Sequence, residues 1–173
     1  RGYLISSGTR PPFRSCGLAR RMANVSLAYM RNAGVQSFQT EVLRDNVTAL
    51  GLYLSLGMSK RRDLDCYSIS DIVQPNEAYF DIHDVSWKQI MTKTAGLRDW
   101  VPSWQNSNIS LSAIAGTLRC VAHYDDAGLA AFAAVSPKSG VVHQIAVHRD
   151  RRRSGVALAL LKALQSWTPE GAL

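Results

Sequence analysis

Val147-His148-Arg149-Asp150-Arg151-Arg152-Arg153-Ser154-Gly155-Val156-Ala157 repeats, 138 positions further on, the pattern of Thr9-Arg10-Pro11-Pro12-Phe13-Arg14-Ser15-Cys16-Gly17-Leu18-Ala19. Both stretches contain Arg-x-x-Gly-x-Ala, and in both, basic residues lead into a glycine and a small residue that open an apolar-periodic segment. The first N–H groups of a helix have no internal partner, the helix dipole adds partial positive charge, and glycine lets an anion approach the backbone closely. Each stretch therefore reads as an anion cradle at a helix start. One copy alone could be a solvated basic loop; two copies in matching strand-turn-helix settings argue against that.

Outward from the first copy, Leu18, Met22, Val25 and Tyr29 recur at helical spacing, and Gly34 follows as a stop, so a helix is expected over 18–33. Phe38, Thr40 and Val42 alternate with polar residues and predict a strand over 35–43. Asp45 and Asn46 offer N-cap side chains for a short helix over 46–56, ended by Gly57. Met58 to Ile69 alternates again and predicts a second strand. Ser70 to Val85 is polar, contains Pro75 and shows neither period, so it reads as a linker. Beyond it, helices are expected over 87–97 and 107–115. Three strands follow over 118–124, 129–136 and 141–148, joined by short turns as an antiparallel meander. A last helix over 155–167 is stopped by Pro169.

The 173 residues suit one ordinary domain, with 46% hydrophobic and 19% charged residues. No apolar run approaches the roughly 20 residues of a membrane-spanning helix, and no leader pattern stands at the start, so the expected location is cytoplasmic, without a membrane partner. Cys16, Cys66 and Cys120 lack Cys-x-x-Cys spacing and read as free thiols. The four histidines, His83, His123, His143 and His148, show no ligand spacing, so no metal is expected. The net charge of +7 favours an anionic partner. Arginines concentrated at helix starts, without a recognition helix or stacking aromatics, point away from nucleic acid and toward a phosphorylated small molecule.

The two loops resemble the cofactor loop of the GNAT superfamily of N-acetyltransferases, Gln/Arg-x-x-Gly-x-Gly/Ala, through Arg14, Gly17 and Ala19 and through Arg152, Gly155 and Ala157. A later helix of that superfamily often carries Asn-x-x-Ala-x-x-x-Tyr followed by Gly and an apolar residue, and Asn46, Ala49, Tyr53, Gly57 and Met58 stand at those positions. The resemblance implies an α/β (α+β) fold with a mixed, mostly antiparallel sheet flanked by helices. It also implies acetyl-CoA as donor, and transfer of the acetyl group to an amine of a small molecule or peptide by direct attack.

In that analogy Arg14, Ser15, Cys16, Gly17, Leu18 and Ala19, and Arg152, Arg153, Ser154, Gly155, Val156 and Ala157, hold the cofactor. Asn46 meets the pantetheine arm, and Ile145, Ala146 and Val147 form the strand that pairs with it. Tyr53 gives its proton to the departing thiolate, a phenol being protonated at neutral pH. Glu41 is the one residue named as general base, ahead of His143 and Gln144.

The spacing of the copies implies tandem units: residues 1–69 as the C-terminal half of a first, 70–85 as linker, and 86–173 as the N-terminal half of a second. Each half would leave sheet edges uncovered, so either the halves dock into one composite sheet or two chains complete each other as a homodimer or domain-swapped dimer. A non-catalytic acyl-CoA-binding module is the alternative function.

Overall fold

In the computed structural model, which describes residues 1–69 and 79–168, the chain divides into two compact units, Arg1–Asp65 and Cys66–Leu173.

The first unit is a strand-helix-strand-helix run: β1 (Gly2–Leu4), α1 (Leu18–Asn32), β2 (Phe38–Thr40) and α2 (Val47–Ser55). β1 and β2 pair in parallel, with Gly2 opposite Phe38 and Leu4 opposite Thr40. A parallel pair needs a long crossover, and α1 supplies it. The helix ends where the sequence places its stop, with Gly34 at φ 73°. Asn46 caps α2 as expected, its side-chain oxygen accepting from the Ala49 N–H at 3.1 Å.

Two expectations fail here. The strand over 35–43 shortens to three residues, and Met58–Ile69 forms no strand. A strand gains its ladder only beside a partner, and the alternation over 58–69 meets none; its charges pair locally instead, Lys60 with Asp63 at 2.8 Å and Arg44 with Asp65 at 3.5 Å.

The second unit is built around a four-stranded antiparallel sheet in the order β3-β4-β5-β6, from β3 (His83–Val85), β4 (Arg119–Asp125), β5 (Gly128–Ser136) and β6 (Val141–Val147). The meander of the last three strands is the one the turns predict. His83–Val85, read as linker, instead forms the sheet edge, Val85 lying opposite Cys120. The remainder of that linker, residues 70–78, and the Pro169 stop lie outside the described residues.

β5 is the axis of this unit. Ala130 through Val135 are all buried, and alternate residues serve opposite faces. Phe132 and Ala134 pack with Trp87, Ile90 and Leu111 of α3 (Trp87–Ile90) and α4 (Asn108–Ala113). Ala131, Ala133 and Val135 meet Val156, Leu160 and Leu164, the i, i+4, i+8 stripe of α5 (Val156–Gln165). The alanines leave room for both helix layers to approach the sheet.

The helix expected over 87–97 is cut short. After α3 the chain turns, and Thr94–Leu97 makes a single tight 3-10 turn. The Thr94 hydroxyl donates to the Met91 carbonyl at 3.0 Å, offering the backbone oxygen a side-chain partner in place of the helical one.

Among the described residues, the first unit holds the two-stranded sheet β1-β2 and the second the four-stranded sheet.

Candidate functional site

The two copies of the loop adopt the same backbone course, position for position. A 3-10 turn spans Pro11–Phe13 in the first copy and Arg149–Arg151 in the second. Arg14 (φ −73°, ψ 161°) corresponds to Arg152 (−68°, 155°). Ser15 and Arg153 then enter the left-handed region at φ 62° and 64°, and Gly17 and Gly155 do so at 75° and 96°. A left-handed conformation costs a non-glycine residue roughly 1–2 kcal/mol. Its recurrence at Ser15 and Arg153 marks a conformation held for a purpose rather than a local accident.

The motif arginine closes this loop. Arg14 Nε donates to the Thr9 carbonyl at 3.0 Å, and Arg152 Nε to the Val147 carbonyl at 3.2 Å, each reaching back five residues to the chain entering the loop. The residue before each glycine also turns inward: Cys16 Sγ bonds the Arg14 carbonyl, and Ser154 Oγ the Arg151 carbonyl at 2.7 Å. Sequence reasoning assigned these arginines to the ligand directly. Their geometry adds a different service, fixing the turn whose N–H groups face outward at the helix start.

The copies differ in their surroundings. Arg14 through Ala19 are all exposed. The second loop instead forms one wall of a cavity of about 680 Å³. Arg152, Arg153, Ser154, Gly155, Val156 and Ala157 line it on one side, and Ile145, Ala146 and Val147 of β6 on another. All nine residues expected to hold a cofactor in this copy thus share one cavity. Phe80, Leu97, Asp99, Trp100, Arg151 and Leu158 complete the lining. The sequence carried no signal for Phe80 or Asp99, because each reaches the cavity from a connector.

Charge in the cavity is partly spoken for. Arg152 pairs with Asp99 at 2.7 Å and Arg151 with Asp125 at 2.7 Å. These hydrogen bonds hold both carboxyls below the usual carboxylate range. Arg153 makes no ion pair among the described residues. The donors cluster at the helix start while Leu97, Trp100, Ile145 and Val147 supply apolar wall, which fits a ligand with an anionic head and a narrow, mostly apolar arm. A Cβ built on Gly155 would point toward Phe80 at 3.7 Å, in ordinary contact.

A scan against protein families matches the acetyltransferase (GNAT) family over residues 1–58 and 67–172. The chain belongs to the GNAT family. A comparison with curated proteins finds no match. Membership accounts for the mixed fold, with its antiparallel sheet flanked by helices, and places the chemistry at the level of acyl transfer. In both segments the family pattern falls on the strand-loop-helix that carries the repeated motif.

The other expected residues sit as follows. Tyr53, half-buried on α2, places its hydroxyl 3.3 Å from Ser7 Oγ, two residues before the first loop begins at Thr9. Asn46 is exposed, and its side-chain oxygen is occupied by the α2 cap. Glu41 follows the end of β2 and is exposed. Cys120 is buried, and burial, with the Asp84 charge, pushes its thiol up to about 12. Among the described residues no three His, Cys, Asp or Glu side chains are grouped to hold a metal, and no helix is long and apolar enough to cross a membrane.

His143 falls at a bulge in β6: Gln144 lies opposite Ala134 and Val142 opposite Val135, leaving His143 unmatched. Its ring bridges Ser136 Oγ at 2.7 Å and Asn106 Oδ1 at 2.9 Å. Burial lowers its pKa from the usual imidazole value. The unfolded chain therefore binds a proton on this residue that the folded chain resists, between the depressed folded value and the ordinary one near 6.5. Its contribution to stability is complete above that ordinary value and is lost as the pH falls through the folded one. His143→Gln is expected to flatten the decline of melting temperature between about pH 6.5 and pH 5; an unchanged slope would assign the decline to other groups.

Proposed function

We propose that the chain transfers an acetyl group from acetyl-CoA to a primary amine by direct attack, with the second loop as the site of the donor. The reading is carried by the single cavity that gathers the strand Ile145–Val147 and the turn Arg152–Ala157. Acetyl-CoA supplies an activated thioester. The helix-start N–H groups and Arg153 hold the pyrophosphate, and the β6 edge offers its backbone to the pantetheine amides. As the C–N bond forms and the C–S bond breaks, the amine loses a proton and the thiolate gains one.

For a donor held at the first loop instead, Tyr53 is the proposed giver of that second proton and Asn46 the proposed contact to the pantetheine arm, both standing in the first unit with that loop. Glu41 remains the proposed base. The matched conformation of the two loops supports descent from tandem GNAT units, with domain swapping between chains as the proposed way to cover the open sheet edges. The exposure of Glu41 and of the whole first loop favours, as second reading, a module that binds acyl-CoA without turnover.

Thermal melting with and without acetyl-CoA, followed by mass spectrometry of an amine pool, separates the readings. Stabilisation with acetylated product supports the enzyme, and stabilisation without product supports the binding module. Tyr53→Phe tests the first loop: a fall in turnover of about tenfold or more with the acetyl-CoA-induced shift intact, the range in which a positioned acid contributes, would assign the chemistry to that loop. Wild-type turnover in that variant would remove Tyr53 from the chemistry.

A further inference from the structure

A polar network on the other side of the strand that enters the cavity is not used by the reading above. Gln144, 1% exposed, directly precedes Ile145. Its side-chain oxygen accepts from Arg98 Nη1 at 2.8 Å, and its amide nitrogen donates to the Asn106 carbonyl and, at 3.2 Å, to Asn108 Oδ1. Arg98 Nη1 also donates to Asn108 Oδ1 at 2.9 Å. Asn108 is itself locked by the Met91 carbonyl at 2.8 Å and by Thr94 Oγ1 at 3.0 Å.

The network holds a cation without neutralising it. Arg98 forms no ion pair among the described residues, and both oxygens that hold it belong to neutral amides. Among the described residues only Nη1 is engaged. Every fully buried side-chain nitrogen or oxygen among the described residues has a partner, so Nε and Nη2, which have none among them, are not fully buried. Those two atoms form the edge of a guanidinium that receives a carboxylate through two parallel hydrogen bonds. Partial burial already lowers the pKa of Arg98, and an incoming anion would offset that cost. The buried amides fix the guanidinium in one orientation, as a recognition site requires.

We propose that the amine accepted by this protein carries a carboxylate, and that the Nε/Nη2 edge of Arg98 receives it. The proposal rests on acetyl transfer at the adjoining cavity. Arg98 is flanked in sequence by Leu97 and Asp99, which line that cavity, and it is tied to Gln144 beside Ile145. A carboxylate held there presents the rest of a small amino acid, or of a peptide C-terminus, near the β6 edge.

The test compares a pool of α-amino acids with the matching pool of α-amino amides, each offered with acetyl-CoA to the full chain, to Arg98→Gln and to Arg98→Lys. The acids are expected to be acetylated at least tenfold faster than the amides. Arg98→Gln should abolish that preference by slowing the acids, and Arg98→Lys, which keeps charge but loses the planar edge, should restore it only in part. Stabilisation by acetyl-CoA serves as the folding control for both variants. Equal rates on the two pools, or a preference that survives Arg98→Gln, overturn the proposal.

A second readout is independent of turnover. Addition of the acid pool, and not the amide pool, should shift the Arg98 Nε–H resonance in an arginine-labelled sample. If that resonance does not move, the carboxylate site is wrong even where acetyl transfer occurs. If it moves while no amine is acetylated, the site stands and the catalytic reading fails.

Discussion

Gly155→Asp is expected to abolish the stabilisation that acetyl-CoA gives the chain, whereas Gly155→Asn should keep a measurable part of it. Asp and Asn have nearly the same shape, and both enter the left-handed region more readily than other side chains, so the φ of 96° strains the two variants alike. Space is not limiting, since a Cβ at this position comes only to 3.7 Å from Phe80. What distinguishes the variants is one negative charge at a helix start where the ligand's pyrophosphate would lie. Two like charges about 4 Å apart repel by about 4 kcal/mol at an effective dielectric near 20, enough to weaken binding by more than a hundredfold. Melting curves over a range of acetyl-CoA concentrations check this. Equal shifts in both variants would show that the second loop does not hold the phosphates.

The same pair of substitutions at Gly17, in the exposed first copy, gives the comparison that assigns the site. Loss confined to Gly155→Asp places the donor in the second loop.

Phe132→Ala is expected to have the largest effect on stability. Phe132 is fully buried at the centre of β5, and its ring meets Trp87 with centroids 6.4 Å apart. Truncating a buried aromatic residue costs about 3–5 kcal/mol. Neighbours on this strand are alanines, which cannot swing in to fill the space. For a domain near 100 residues each kcal/mol moves the melting temperature by about 4–8 °C, so a fall of 12 °C or more is expected by calorimetry. Because Phe132 lies opposite Ala146 in the register of β5 and β6, the cavity strand loses its support as well, and acetyl-CoA affinity should fall in parallel. A small change in melting temperature would mean that α3 and α4 do not pack on this face as described.

The elements that were legible in the sequence are those whose signal is local. Gly17 and Gly155 marked the starts of α1 and α5, Asn46 could cap α2 by itself, and the turns at Asp125–Gly128 and Pro137–Gly140 left a meander as the simplest connection. The helix expected over 155–167 stands as α5 (Val156–Gln165). Elements that depend on a distant partner were misread: the alternation over 58–69 found no neighbouring strand, and His83–Val85, which alternates too briefly to register, became a strand because β4 offered it an edge.

The candidate site divides in the same way. The sequence by itself determined the two turns, because their shared loop conformation is a property of eleven consecutive residues. Tertiary structure alone decided which copy has walls around it, that the motif arginines close their loops, and that Arg98 is held by the neutral amides of Gln144 and Asn108 beside the cavity strand. Those outcomes depend on side chains brought together from connectors tens of residues apart, where no spacing in the chain records which neighbour each will meet.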